Sequence, residues 1–432
     1  MAIYDMSGNS IPTGAIQTNE VLVASSDAGS DIKSSADYVC TGTNDELVIQ
    51  QAINYLANKG GGILRLSKGY FHIDSFPNTD SGSDNVALLL PQATKAYHIE
   101  IKGALLQYGW EKESALSEGT TIEVSETCYT SLSSSDLYTV IRAGYVASLM
   151  NTPSKVSLAM ENICFRVPSN QKKVTILDCL YINRLYLDML KFRAYKVGFD
   201  GYSSGAPQVA SEGCVAIRSM GGSNSGSPAD IRHITVQGFY EGFKLGSEHI
   251  IGINLSAIYC VYGFTFGNYA WADMFVHPIT LINCCDERNI NLPLFVDCGK
   301  RTSYSASSTG GPQAITCIDF NIERVASETP GGTLGNLATE VTPGKFRGSI
   351  EFTMTNGQFN TNSTDAGFWA DGSGHGFVTR NQAHELSGTS ATRRGYKPSY
   401  MQSFFDTTVN KMLWCIDTAN KTWVDAQGNT VA

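Results

Sequence analysis

Thr41 to Ile73 reads TGTNDELVIQQAINYLANKGGGILRLSKGYFHI, and this stretch decides the architecture. Ile49, Ala52, Ile53 and Leu56 recur with a 3.6-residue period, which predicts one amphipathic helix. Asn44 or Thr43 is placed to cap its start, and Asp45 and Glu46 fall in the first turn, where carboxylates favour the helix dipole. Gly60, Gly61 and Gly62 end the helix, because glycine enters left-handed backbone conformations freely. Ile63 to Leu66 and Tyr70 to Ile73 then read as two short strands about a Lys68-Gly69 turn. An ordinary helix and hairpin of an α/β domain is the alternative reading.

The order of these residues resembles the entry segment of the pectate-lyase-like superfamily of right-handed parallel β-helices, in which an "ND…IQ-A…GG…LP-G-Y-I" run caps the first rung. Asn44-Asp45, Ile49-Gln50, Ala52-Ile53, Gly61-Gly62 and Gly69-Tyr70 fit that run, and Leu66-Ser67-Lys68 replaces its proline. The resemblance implies an all-β fold: a right-handed parallel β-helix solenoid with an N-terminal capping helix. A solenoid grows by adding rungs, so 432 residues do not demand several cores. The 42 glycines, 20 tyrosines and 19 phenylalanines, with only 16% charged residues, suit a turn-rich β protein and disfavour helix bundles.

A loose repeat supports the solenoid. RAYKVGFDG (Arg193 to Gly201), GFYEGFKLG (Gly238 to Gly246) and IYCVYGFTFG (Ile258 to Gly267) share an aromatic, a Gly-Phe step and a closing glycine. Gly242 and Gly263 lie 21 residues apart and Gly198 and Gly242 lie 44 apart, which reads as one rung and two rungs. Phe199, Phe243, Leu245, Phe264 and Phe266 share the inward parity, leaving Asp200, Lys244 and Thr265 on an outward, solvated column. Further strands are expected at Val156 to Val167, Val174 to Tyr181, Ile231 to Phe239, Ile279 to Cys285, Leu292 to Cys298, Ala314 to Val325 and Phe346 to Phe359. Segments rich in Gly, Ser and Thr at 203–211, 221–228, 303–311 and 329–335 read as loops, and 116–135 as another long enough to hide a strand.

The character changes near Arg393. Phe405, Asp406-Thr407-Thr408, Asn410-Lys411, Trp414, Trp423-Val424-Asp425-Ala426 and Gly428 resemble a short C-terminal module of bacteriophage tail, fibre and appendage proteins. Trp414 and Trp423 also fit plain hairpin core partners. The expected domains are an N-terminal arm (1–40), the β-helix with surface loops (41–390) and this small β module (391–432).

The net charge of −9 gives no electrostatic footprint for nucleic acid. Neither a signal peptide nor a membrane-spanning run is read, so no membrane insertion is expected. Eleven cysteines, most inside apolar runs such as Cys164, Cys179 and Cys317, are expected as buried reduced thiols. Adjacent Cys284 and Cys285 point to opposite faces of a strand, and no metal site or cofactor is expected.

Equivalent residues on successive rungs stand about 4.8 Å apart, a spacing compatible with the paired carboxylates of glycoside hydrolases. Asp273, Asp297 and Asp319 follow at intervals of 24 and 22 residues and form one candidate catalytic column, against a default of solvated acids or turn caps. Asp286 and Glu287 form a second, with Arg288 as a binder of sugar hydroxyls or a uronate carboxylate; a surface turn is the competing reading. Tyr269 and Trp271 offer an aromatic platform for a sugar, and His277 and His233 are candidate bases, although single histidines near strands are more often structural.

Together the resemblances imply a homotrimeric phage virion protein of the tail or an appendage. It would be made in the host cytoplasm, contact other virion proteins and bind a bacterial surface polysaccharide. Whether it also cleaves that polymer, as a glycoside hydrolase or a polysaccharide lyase, stays open at this point. The alternatives are a non-enzymatic receptor-binding or structural fibre protein, and a free-standing β-helix carbohydrate enzyme such as a fructan transferase.

Overall fold

The structure is a computed structural model that describes residues 3–4, 10–11, 19–79, 85–91, 95–104, 119–144, 156–194, 210–221, 229–246, 249–267, 279–287, 292–297, 313–324, 344–347, 350–355, 358–361, 368–370, 377–381, 387–388, 403–417 and 419–431. Among these, seventeen strands form one sheet and ten form another. Neighbouring strands pair in parallel throughout the larger sheet, for example Leu158 with Leu185 and Leu185 with Ala229. The smaller sheet is parallel too, apart from the two-residue strand Asn78–Thr79. Strands alternate between the sheets along the chain, which is the topology of a parallel β-helix.

The capping helix forms at Asp45–Asn58 and buries Ile49, Ala52, Ile53 and Leu56. Its start differs from the expectation. Asn44 is left-handed and makes no side-chain cap, and the two carboxylates are buried in other work. Asp45 accepts the N–H of Gly42 at 2.9 Å and of His72 at 3.0 Å, while Glu46 accepts the Asp74 N–H at 3.1 Å and the Ser75 hydroxyl at 2.5 Å. Gln50 accepts the Leu89 N–H at 2.7 Å and donates to its carbonyl at 2.8 Å, so its amide replaces a missing strand neighbour. The glycines are dictated by close approach. A Cβ on Gly61 would lie 2.2 Å from the His98 carbonyl oxygen, and one on Gly62 would lie 2.1 Å from that of Asn19. The sheet begins inside the stretch expected to be an arm, since Glu20–Ala24 pairs in parallel with Gly61–Leu66.

Each long strand of the larger sheet changes direction at one left-handed residue. Asn162, Met189, His233, Asn254, Asn283 and Asp319 have φ of 60°, 52°, 50°, 54°, 50° and 53°. The flanking register, Asp188 with Arg232 and Leu190 with Ile234, stacks these corners rung on rung. Asparagine suits the site because its amide tolerates the left-handed region and can bond along the stack. Asn283 does so, donating to Asn254 at 2.6 Å. The corner divides the sheet into a first and a second outer face; the ten-stranded sheet supplies a third.

Inside, side chains stack in rows. Ile99, Leu158, Leu185, Ala229, Ile250 and Ile279 form one; Ile122, Phe165, Phe192, Val236 and Ala257 another; Leu88, Ile141, Leu177, Ile217, Phe243 and Phe264 a third. All are essentially sealed from water. The Phe243 and Phe264 rings lie 4.8 Å apart and 9° from parallel, as their shared parity predicts. The rung length, however, is not constant. Arg193 and Gln237 are direct partners although 44 residues separate them, so that interval is one rung and not two. Gly198, Phe199 and Asp200 lie outside the described residues. The expected loop at 116–135 holds the strand Thr120–Val124 and the helix Glu126–Ser131. The ten cysteines of the described part are thiols not joined in disulfides, all but Cys285 buried; burial pushes those of Cys214, Cys260 and Cys284 up to about 12.

The outward column through Lys244 and Thr265 is no solvated face. Thr265 is 1% exposed, and the same column carries Arg142, Asp178 and Arg218 on preceding rungs. Buried Asp178 accepts from Arg142 at 2.8 Å and from two nitrogens of Arg218, while Arg142 also donates to Thr139 at 3.2 Å. Opposite charges one rung apart satisfy each other, which is how such a column tolerates burial.

The C-terminal strands Ser403–Asp406, Lys411–Asp417, Thr422–Val424 and Thr430–Val431 form an antiparallel sheet. Phe404, Leu413, Cys415 and Trp423 make its core, and Trp414 is only half-buried. Its two motif aspartates are turn builders: Asp406 accepts the Thr408 N–H at 2.9 Å, and Asp425 accepts those of Gln427 and Asn429 at 3.0 Å.

Two predictions follow from this packing. Asp178→Asn leaves two guanidinium groups without their shared carboxylate and should cost about 3–5 kcal/mol in urea unfolding; a midpoint equal to wild type would contradict the triad. The Lys411 ammonium, with the Asn429 and Gln427 donors, holds Asp425 down at about 2. A depressed carboxylate stabilises the fold above its ordinary value near about 4 and loses that contribution as pH falls toward the folded value. Between those limits the fluorescence of Trp423 should report opening of this sheet on acidification. Asp425→Asn should weaken the sheet at neutral pH and flatten that dependence; an unchanged acid profile would contradict the assignment.

Candidate functional site

The outer faces differ in openness. On the second, Lys191, Arg166 and Arg193 are only 6%, 8% and 7% exposed, with Glu123 lying 3.5 Å from Arg166 and 3.2 Å from His72. The third carries the buried Arg142–Asp178–Arg218 column. On the first face, by contrast, polar side chains remain accessible across four rungs.

That face is a grid set by strand alternation. Glu100 and Lys102 point outward from Tyr97–Lys102, Ala159 and Glu161 from Val156–Val167, Arg184, Tyr186 and Asp188 from Arg184–Ala194, and Asp230 and Arg232 from Ala229–Gln237. The register aligns Ala159, Tyr186 and Asp230 in one column and Lys102, Glu161, Asp188 and Arg232 in the next. His233 joins from the corner.

Asp188 is the centre of the grid. One of its oxygens lies 2.8 Å from His233 Nδ1, and the other accepts the Tyr186 hydroxyl at 3.1 Å. A carboxylate oxygen facing Nδ1 accepts a hydrogen bond from it, which selects Nδ1–H as the ring's donor toward Asp188 and turns Nε2 away from that partner. Burial and the Asp188 carboxylate push the Tyr186 hydroxyl above its ordinary range, which keeps it a donor. Around this dyad, Lys102 binds Glu100 at 2.7 Å and Glu161 at 3.1 Å, and both carboxylates push its ammonium up. Arg232 grips Asp230 through Nε at 2.6 Å and one terminal nitrogen at 2.7 Å. Beyond Arg232 the column turns apolar, with Ile253, Ile282 and Ile318 on the next rungs and Ile251 exposed beside them.

Apart from His233, those residues expected from sequence that the structure describes fall elsewhere. Asp273, Tyr269, Trp271, His277 and Arg288 lie outside the described residues. Asp297 ends the strand Leu292–Asp297 of the ten-stranded sheet, in register with Gly267 and Arg347, whereas Asp319 is an exposed corner of the larger sheet. The two therefore do not share a column. Asp286 pairs with Ala257 and Ile322 in an inward row and is fully buried, so no sugar reaches it; Glu287 follows it in the strand. His233 is the one expected base found in the grid. Arg184–Ala194 is absent from the expected strands because Met189 breaks its alternation. Reading Leu185, Leu187, then Leu190 and Phe192, as apolar positions offset by one corner residue would have found it. Among the described residues no group of three or more His, Cys, Asp or Glu is placed to hold a metal.

No family model matches the chain, and no curated protein resembles it in sequence. Two solved structures are similar in outline. One is ORF18 of Geobacillus virus E2, at 10% identity and a TM-score of 0.36, covering 89% of this chain and 71% of that one. The other is tailspike protein 3 of bacteriophage CBA120, at 12% identity and a TM-score of 0.21, covering 88% of this chain and 67% of that one. The fold assignment stands on the strand pairing itself.

Proposed function

We propose that this chain is a bacteriophage tail or appendage protein that binds a bacterial surface polysaccharide across the first face of its solenoid. The observation that carries the reading is the accessible grid around Tyr186, in which an aromatic ring stands among acids and cations at regular rung spacing. Polysaccharides are recognised in this way: a ring packs on an apolar sugar face while side-chain donors and acceptors meet the hydroxyls.

The assignment to a phage particle draws on the resemblance of the C-terminal module, whose Asp406 and Asp425 serve as turn residues of a small sheet with its own core. The chain acts as a homotrimer. The row of Ile253, Ile282 and Ile318, with Ile251, Thr280 and Thr316 in the column beside it, suits contact with further copies of the same sheet.

Light scattering should give three times the 46.7 kDa chain mass. Calorimetry against bacterial capsular polysaccharides should show binding that Tyr186→Ala weakens about tenfold, or about 1.4 kcal/mol. Monomer mass would remove the trimer, and binding indifferent to Tyr186→Ala would move the site off this face.

A further inference from the structure

Resting on the reading that this face binds polysaccharide, we infer that its ligand is an amino-bearing polymer, a chain of hexosamines with unacetylated nitrogens, and that Glu161 selects it against acidic polymers. The inference starts from how the cations of the grid are engaged. Lys102 is shared between Glu100 at 2.7 Å and Glu161 at 3.1 Å. Arg232 is the register partner of Asp188, yet it turns along its own strand and places Nε and a terminal nitrogen on Asp230 at 2.6 and 2.7 Å. Asp188 is left with the Tyr186 hydroxyl and the His233 ring, and with no lysine or arginine among the described residues.

The consequence is a like-charged contact. Glu161 and Asp188 are direct partners on neighbouring rungs, about 4.8 Å apart along the column. Two carboxylates side by side on a ladder repel, and Lys102 stands on the far side of Glu161, one rung before it. Over the two columns, Glu100, Glu161, Asp188 and Asp230 oppose only Lys102 and Arg232, a surplus of two negative charges. Exposed Arg184 offsets one of them from the next column, where it lies opposite Ser157. The side chains of Glu161 and Asp188 are 29% and 22% exposed, so a solute reaches both.

These acids flank the ring on which the binding reading rests. Tyr186 lies two residues before Asp188 in the same strand and donates its hydroxyl to it, and Asp230 is the register partner of Tyr186 on the following rung. Carboxylates beside an aromatic ring suit a protonated amine, which donates to the oxygens and is attracted by the ring. An amino sugar supplies that group together with an apolar face to pack on Tyr186. A uronate or a phosphate in the same place would set a further negative charge against Glu161 and Asp188, where both nearby cations are already neutralised by carboxylates.

The test uses the full chain and a panel of amino-bearing, neutral and uronate-bearing bacterial polysaccharides, each amino-bearing member beside the same polymer after chemical N-acetylation. Calorimetry at about pH 6.5, where such amines are protonated, reports binding. The amino-bearing polymers should bind tightest, and N-acetylation should weaken them about tenfold. Raising the salt to about 0.5 M should narrow that gap in the unaltered chain, because the contact is ionic and partly exposed. Glu161→Gln keeps the side chain's shape and removes its charge. It should cut the preference to about threefold or less and leave the affinity for the N-acetylated form within about twofold. Equal affinity before and after N-acetylation, a preference untouched in Glu161→Gln, or tightest binding by a uronate-bearing member would each overturn the proposal while leaving the binding reading in place. Failure to bind any member of the panel would sink the binding reading itself.

Discussion

The left-handed corner is the constraint on which the rest of this solenoid depends. A strand continuing past Asn162 or Asn283 with extended backbone would keep one alternation and one flat sheet. A single residue near φ 50–60° instead turns the chain and shifts the inward parity by one. Leu158 and Met160 face inward before the corner and Ile163 and Phe165 after it, so apolar rows on both sides close around one core. Because neighbouring rungs pair residue by residue, a corner can sit only above another corner. The stack from Asn162 to Asp319 is thus a single cooperative feature. The left-handed conformation costs a non-glycine residue roughly 1–2 kcal/mol, and asparagine offsets part of this through bonds such as that from Asn283 to Asn254.

The same corner builds the candidate site. A side chain at the corner neither joins the core nor stands squarely on either face, and at His233 it reaches back to Asp188 on the preceding rung. Met189, the corner of that rung, makes the shift that leaves Tyr186 and Asp188 outward before it and Leu190 inward after it. The other two faces show what the scaffold does with charge when it is not displayed. Asp178 is clamped between Arg142 and Arg218, and Asp286 is turned into the interior beside Ala257. Burial of these groups serves the stacking of rungs; the partly exposed Asp188 and His233 remain within reach of a ligand.

Much of the fold was legible in the chain. The Asn44 to Tyr70 segment pointed to a capped β-helix, and the side chains of that motif now have physical roles: Asp45, Glu46 and Gln50 satisfy backbone groups in or just after the strands beyond the helix. Alternation placed Phe243 over Phe264 correctly. The rung length was not legible, because it varies from the 44 residues between Arg193 and Gln237 to the 21 from Ala229 to Ile250. That irregularity is why acids at rung-like intervals, Asp297 and Asp319, fall on different sheets. The site was hidden for a related reason. Tyr186 and Asp188 lie 44 residues or more before Arg232 in the chain, and only His233 carried a signal of its own.

The most direct test of the account is a structure of the protein with an oligosaccharide from the polymer it binds. A sugar ring should pack on Tyr186, with its hydroxyls within hydrogen-bonding reach of Asp188, His233 and Arg232. A sugar bound on the second or third face, or away from the rungs of Val156–Val167, Arg184–Ala194 and Ala229–Gln237, would contradict it.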